Sequence, residues 1–189
     1  SNYNLLSLKE NAYLDERVLR GALKHVMTYY RRNQTKLKDI VAAEVDISVL
    51  RKDYILKGVI DLIQGEGDTV EIVDFKATKK PKDATKGRLN LYQRQLEVYA
   101  HIVEEKYQKT VSKMHLYYTG ETEGDPRISY IKNHSSIEKT LESFDKVVEK
   151  IENKDYDLEV KPLHMCKDCD FRHYCARVKP EQNCKSSLF

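Results

Sequence analysis

The chain reads as an α/β protein with a central mixed β-sheet flanked by helices and a Cys-rich C-terminal tail. Three observations carry that expectation. Apolar residues recur with the helical period in three long stretches and the strand period in five shorter ones, in the order helix, three strands, helix, two strands, helix. A Gly-rich connection, Gln64-Gly65-Glu66-Gly67-Asp68, joins two strands in the manner of a hairpin. All four cysteines, Cys166, Cys169, Cys175 and Cys184, fall after the last of these elements.

Composition sets the bounds. A length of 189 residues suits a core of residues 1–160 with a small appendage, a Cys-rich tail of residues 161–189 packed on it. Apolar content of 40% and charged content of 33% are those of a soluble globular protein, and seven Gly and four Pro leave no room for a long flexible tract. Net charge of +3 permits a polyanionic partner without requiring one. No apolar run approaches the roughly 18 residues of a membrane span, and the N-terminus lacks the basic-then-apolar pattern of a signal peptide. A cytoplasmic protein with no membrane partner is the expectation.

The first element, about Leu8 to Asn33, has Leu14, Val18, Leu19, Ala22, Leu23, Val26 and Tyr30 at the period of an amphipathic helix. Gly21 in its interior suggests close approach of a neighbour, and His25 lies one turn further on the same face. Asp39 to Leu50 reads as a strand with Glu44 on its polar side. Lys57 to Ile63 and Thr69 to Thr78 are the next two. Lys79 to Arg88 is a basic, turn-rich loop. A helix follows from Leu89 to Gln108, with Gln95 and Tyr99 stacked on one face. Ser112 to Thr119 and Arg127 to Lys132 are strands about a turn at Gly120 to Pro126, and Ser135-Ser136 opens a last helix whose inner side is Ile137, Leu141, Phe144, Val147, Val148 and Ile151.

The segments Lys57 to Ile63 and Thr69 to Thr78 carry an anomaly. Alternation along the second puts Val70, Ile72, Asp74 and Lys76 on one face and Glu71, Val73 and Phe75 on the other. A carboxylate and an ammonium thus share a face with buried-type aliphatics, where dehydration is costly unless the charges are paired or used. Asp61, inside the apolar run Val59 to Ile63, repeats the pattern on the neighbouring strand. Two acids and a lysine converging from paired strands suit a hard divalent cation, with the lysine left for a nucleophile or a phosphate. A solvated ion pair on an exposed face is the plainer alternative.

Clustered cysteines in a reducing compartment speak for metal rather than disulfides. Four thiolates, or three with His164 or His173, suit tetrahedral Zn2+ as well as an iron–sulfur cluster.

Taken together, five motifs in order are similar to those of the RecB-type branch of the PD-(D/E)XK nucleases, which includes the nuclease domains of RecB and AddB helicase subunits and the CRISPR-associated RecB-like exonucleases. Gly21 to His25 resembles the family's GxxxH, Gly58 to Asp61 its GxxD, Asp74-Phe75-Lys76 its (D/E)xK, and Gln95 to Tyr99 its QxxxY. Glu44 stands where relatives carry an acid on the preceding strand. Cys166, Cys169 and Cys175 resemble the C-terminal run of the family's iron–sulfur members, whose fourth cysteine precedes the GxxxH helix. Here no cysteine precedes Cys166, so either one upstream of Ser1 in the native protein or Cys184 takes the fourth place; Cys184 is the expectation.

The resemblance implies a restriction-endonuclease-like core and divalent-metal-dependent DNA cleavage, single-strand-acting and exonucleolytic, within a helicase-nuclease of DNA repair or recombination. It implies catalytic Asp61, Asp74 and Lys76, with Mg2+ or Mn2+ held by His25, Asp61, Asp74 and the Phe75 carbonyl. It has Gln95 and Tyr99 contact the DNA strand or buttress the lysine, and assigns DNA contacts to Lys79, Lys80 and Arg88, with Lys82 and Lys86 adding phosphate contacts. Cys166, Cys169, Cys175 and Cys184 would bind a [4Fe-4S] cluster or, alternatively, Zn2+. DNA and a helicase domain or subunit are the implied partners. Two rival readings keep other functions open: an inactive nuclease-like DNA-binding or docking domain, and a cysteine-metal nucleic-acid-binding module on an unrelated α/β body.

Overall fold

A computed structural model describes residues 16–82 and 86–155, apart from the side chains of 86–88. In order these form α1 (Glu16–Asn33), a 3-10 turn (Gln34–Asp39), β1 (Ile40–Arg51), β2 (Tyr54–Glu66), β3 (Thr69–Lys76), α2 (Lys86–Tyr107), β4 (Thr110–Tyr118), β5 (Arg127–Ile131) and α3 (His134–Glu152). The chain divides into two compact units, Ser1–Val148 and Glu149–Phe189. The sheet and its site belong to the first. In the second, the described residues close α3, where Lys154 adopts φ 55 and donates its N–H to the Ile151 carbonyl.

The five strands lie in sequence order, β1-β2-β3-β4-β5. β3 and β4 are parallel and joined by α2; the other neighbours are antiparallel, giving the expected mixed sheet. β2 begins at Tyr54, three residues before the apolar run, because Lys52 at φ 48 lets a two-residue turn fold β2 back on β1. Pairing of β2 with β3 continues to Glu66–Thr69, so the hairpin loop is only Gly67-Asp68. Gly65 is obligatory there: a Cβ would stand 2.4 Å from the Thr69 carbonyl oxygen.

The face covered by α2 holds most of the core. Ile60, Ile72, Leu96, Ile102, Met114 and Leu116 are fully buried, and Ile137 and Leu141 of α3 join them. Glu97 is buried among these residues, yet its carboxylate accepts from Ser136 Oγ (2.5 Å), Thr140 Oγ1 (2.5 Å) and Gln93 Nε2 (3.0 Å), which removes the cost of dehydrating it and ties α2 to α3. Asn133, rather than Ser135 or Ser136, caps α3 by accepting the Ser136 N–H at 3.2 Å.

The opposite face is thinner. Leu62, Val73 and Tyr117 are its buried residues, with Tyr29, Ile40 and Phe75 packed against them. Here the helix expectation needs correcting: Val18, Leu23 and Val26, three of the residues marking the apolar side of α1, are each about 60% exposed, and Leu19 and Tyr30 are exposed too. The side turned inward is Gly21, His25, Tyr29 and Asn33, at four-residue spacing. Nothing described lies within 4 Å of a Cβ placed on Gly21, so the close approach expected there is absent among the described residues.

Alternation also breaks at the point of interest. Ile60 and Ile63 pack in the α2-side cluster while Leu62 packs in the other, so the period of two slips at Asp61. On β1, Ala43 pairs with Leu62 and Val45 with Ile60, and Glu44 between them takes φ 51. The pairing register is continuous here, its shift lying between Ile40 and Ala42, so the left-handed Glu44 opposite Asp61 is a local backbone irregularity next to the residue of interest.

Candidate active site

Strand β3 runs inward from Thr69 and is buried through Val73 and Asp74, which is why its last residues present charge at the rim of the sheet rather than in open solvent. Asp74 is only 4% exposed. Its Oδ2 lies 2.5 Å from Lys76 Nζ, confirming that the two side chains share a face, but this charge contact lacks hydrogen-bond alignment and Oδ2 has no hydrogen-bond partner. Burial pushes the Asp74 carboxyl above its ordinary value; Lys76 pulls it back and the Asp61 charge pushes it up further. Asp61 comes from the position of β2 opposite Glu44, where its Oδ2 accepts the Phe75 N–H at 2.6 Å. Asp61, Asp74, Phe75 and Lys76 are therefore brought together, as the sequence predicts.

Lys76 has a further neighbour that the sequence reading missed. Its Nζ stands 4.1 Å from the ring centroid of Tyr92 on α2, a cation–π contact that holds the ammonium from below while Asp74 holds it from the side. The available signal was spacing: Tyr92 lies three residues before Gln95, on the same side of the helix.

His25 reaches the site through one intermediary. Its Nδ1 is 3.3 Å from Thr119 Oγ1, and Thr119 donates its backbone N–H to the Lys76 carbonyl at 3.0 Å. The helix is seated by Phe75, the middle residue of Asp74-Phe75-Lys76, whose ring meets Tyr29 edge-on at 5.0 Å, with Tyr117 completing the trio. Tyr29, one turn beyond His25, is a positioning residue that a search for apolar periodicity passes over in favour of Tyr30.

Gln95 Nε2 donates to the Tyr99 hydroxyl at 2.7 Å, and the Tyr99 ring is buried against β2. A Cβ on Gly58 would stand 2.7 Å from Tyr99 Cε1, so the glycine of GxxD exists to admit that ring. Tyr99 thus buttresses β2 three residues before Asp61.

Of the basic loop, Lys79 and Lys82 are exposed. Lys80 turns inward and donates to the carbonyls of Asp125 (3.2 Å) and Arg127 (2.7 Å), bracing the β4–β5 turn. Lys86 and Arg88 belong to the first turn of α2 instead of the loop, and their side chains lie outside the described residues. Glu44 is exposed on β1 with its backbone in the left-handed region. Cys166, Cys169, Cys175, Cys184, His164 and His173 lie outside the described residues, as does the predicted helical segment before Glu16.

The donor set suits a hard divalent cation: two carboxylates, one with a buried oxygen lacking a hydrogen bond, a backbone carbonyl and an imidazole nearby. As packed, the described residues contain no group of three or more His, Cys, Asp and Glu side chains close enough to hold an ion. The expected ligand set is therefore only partly assembled, because Asp61 is turned to the Phe75 N–H, Asp74 to Lys76 and His25 to Thr119.

A solved structure of a proposed exonuclease from Eubacterium rectale is similar over 85% of this chain, with 17% identity and a TM-score of 0.56. This chain spans 62% of that protein's length. A second structure, of SSO0001, is 14% identical over 85% of this chain and 70% of its own, with a TM-score of 0.49. No curated protein matches. No described helix is long and apolar enough to cross a membrane. A family profile described as the PD-(D/E)XK nuclease superfamily matches residues 4–176, nearly the whole chain, and the chain belongs to that superfamily.

Proposed function

We propose that the chain is a divalent-metal-dependent DNA nuclease that cuts from strand ends, prefers single strands, and serves as the nuclease domain of a helicase-nuclease in DNA repair or recombination. The observation that carries the catalytic part is the buried, hydrogen-bond-free Oδ2 of Asp74 beside Lys76, with the Asp61 carboxylate on the adjoining strand. Exonuclease action draws support from the similar Eubacterium rectale structure. Strand preference and the helicase context rest on the motif resemblance.

Asp61, Asp74, the Phe75 carbonyl and His25 would hold Mg2+ or Mn2+. When bound, such an ion polarises the scissile phosphate and offsets its charge. The chain's own groups do the rest. Lys76, fixed between Asp74 and Tyr92, points an ammonium at the phosphate, where it stabilises charge developing in the transition state or orients the attacking water. The Phe75 N–H fixes the Asp61 carboxylate, and Thr119 fixes the His25 ring. Exposed Lys79 and Lys82 and half-buried Gln95 contact the strand, while Tyr99 supports β2. Cys166, Cys169, Cys175 and Cys184 would bind a [4Fe-4S] cluster or Zn2+ as a structural staple, since hydrolysis needs no redox chemistry.

An inactive docking domain is the alternative, and the exposed apolar side of α1 is the observation in its favour. End-labelled single- and double-stranded DNA incubated with EDTA, Mg2+ or Mn2+ separates the two. Cutting with metal that EDTA abolishes is the expected result; folded protein that cuts with no metal tested would move the assignment to docking.

A further inference from the structure

The structure assigns a second anion-recognising place to this chain: we propose that the cleft between the end of α1 and the β4–β5 turn binds a backbone phosphate of the same strand, a few nucleotides from the one being cut. The inference rests on the nuclease reading and adds to it where the strand runs.

The cleft has a volume of about 350 Å3 and its lining includes Arg32, Lys36 and Arg127, the Tyr117 ring and one acid, Asp125. Its cations are held by neutral groups. Arg32 donates to the carbonyls of Glu121 (3.1 Å) and Thr122 (2.5 Å), and Arg127 Nη2 donates to Asn33 Oδ1 at 3.0 Å. Asn33 is itself 4% exposed and fixed by donating to the Tyr29 carbonyl and the Tyr117 hydroxyl, so a buried amide aims the Arg127 guanidinium. Among the described residues none of the three cations forms an ion pair with a carboxylate. The nearest acids are turned onto their own backbone: Asp125 Oδ1 accepts the Arg127 N–H at 3.0 Å, and Glu121 Oε1 the Glu123 N–H at 3.3 Å. A guanidinium carries five donors, so both arginines retain several for an oxyanion, and planar forks with an ammonium beside them suit phosphate.

Two rulers set the position. Arg127 pairs with Tyr117 and Tyr117 with Phe75, so the cleft backbone is two strand spacings, about 10 Å, from the Phe75 backbone, on the face that Phe75 shares with Tyr29. Along α1, Arg32 is seven residues beyond His25, again about 10 Å at 1.5 Å per residue. A stacked strand advances about 3.4 Å per nucleotide, so one strand would meet both places about three nucleotides apart. Lys80, reaching back from the loop after β3, braces the wall of the cleft and fixes that separation.

The test is anisotropy of a fluorescently labelled single-stranded oligonucleotide in EDTA, titrated with salt, using the whole chain and its Lys36→Gln and Arg127→Gln variants. Each is expected to weaken binding about tenfold and to lower the steepness of log K against log salt by about 0.7, one phosphate contact on a single strand. Lys36 is exposed and makes no hydrogen bond or ion pair among the described residues, so its variant folds even if Arg127→Gln does not. Lys146→Gln on α3 reports what removing any surface charge does. Slopes for both cleft variants equal to the Lys146 control overturn the inference while leaving the nuclease reading intact. A parent chain that neither binds nor cuts any polynucleotide overturns both.

Discussion

The two faces of the sheet are built differently, and the difference separates folding from chemistry. On the α2 face a continuous apolar cluster runs from Ile47 through Leu96 and Met114 to Leu141, with the buried Glu97 carboxylate fully bonded. On the α1 face three buried residues and an aromatic trio hold a helix whose apolar side is exposed. The site forms where the two meet, at the rim of β2 and β3, with Asp74 and Lys76 projecting beside Tyr92 of α2 and His25 arriving from α1. The thick face fixes the strands; the thin face delivers His25, the proposed metal ligand. The buried Asp74 oxygen that lacks an aligned hydrogen bond is offset by the Lys76 ammonium 2.5 Å away.

Perturbing the rim should have the largest effect and leave the fold alone. Lys76→Ala is expected to slow cleavage on the order of 10²–10³-fold with little change in thermal midpoint; single-turnover rates beside melting curves check this, and undiminished cleavage would remove Lys76 from the mechanism. Perturbing the thick face should do the reverse. Leu96→Ala opens a cavity at a fully buried position and should cost about 2–5 kcal/mol in denaturant unfolding, with folded protein still cutting. Tyr29→Ala on the thin face should cost less, about 1–2 kcal/mol given its partial exposure, yet slow cleavage more than Leu96→Ala does, because it unseats His25. Equal activity in the two variants would break the comparison.

The smallest effect is in pH. His115, buried on the thin-face side of β4 and bonded to Ser129 and Glu71, is held below the ordinary histidine value of 6.5, mainly by burial, with Glu71 opposing and Arg127 and Lys113 assisting. Its contribution to stability is full above about pH 6.5 and is lost as pH falls toward the folded value. Asp145 on α3 is held well below the ordinary 3.8, first by Arg51 and then by Tyr54, with burial opposing. That contribution persists until pH falls below about 3.8. Unfolding curves between pH 7 and 5 should therefore weaken in the parent and flatten in His115→Gln; identical pH dependence in the two would assign the loss elsewhere.

Much of this was legible in the chain. Strand alternation put Asp74 and Lys76 on one face, element order gave the mixed sheet, and Asp61 stood out as a charge in an apolar run. What escaped was set by tertiary context. The apolar period of α1 pointed to the wrong side of the helix, because Tyr29 and His25 dock on Phe75 and Thr119 through a polar, aromatic seam. The slip at Asp61 has no sequence mark beyond the acid itself, and positive φ at Glu44 is a consequence of pairing that a single strand cannot declare. Tyr92 under Lys76 and the Asn33–Arg127 pair join residues distant in sequence, so no local pattern contains them.

Asp74→Asn tests the central claim most directly, with cleavage and thermal stability measured on the same preparation. Because the folded carboxyl is raised above its ordinary value, its ionisation at neutral pH opposes folding, and a neutral amide relieves that cost. The expected result is loss of metal-dependent cutting together with an unchanged or higher melting temperature in EDTA. Retained cutting, or a fall in stability as large as that of Leu96→Ala, would show that Asp74 belongs to the scaffold and not to the site.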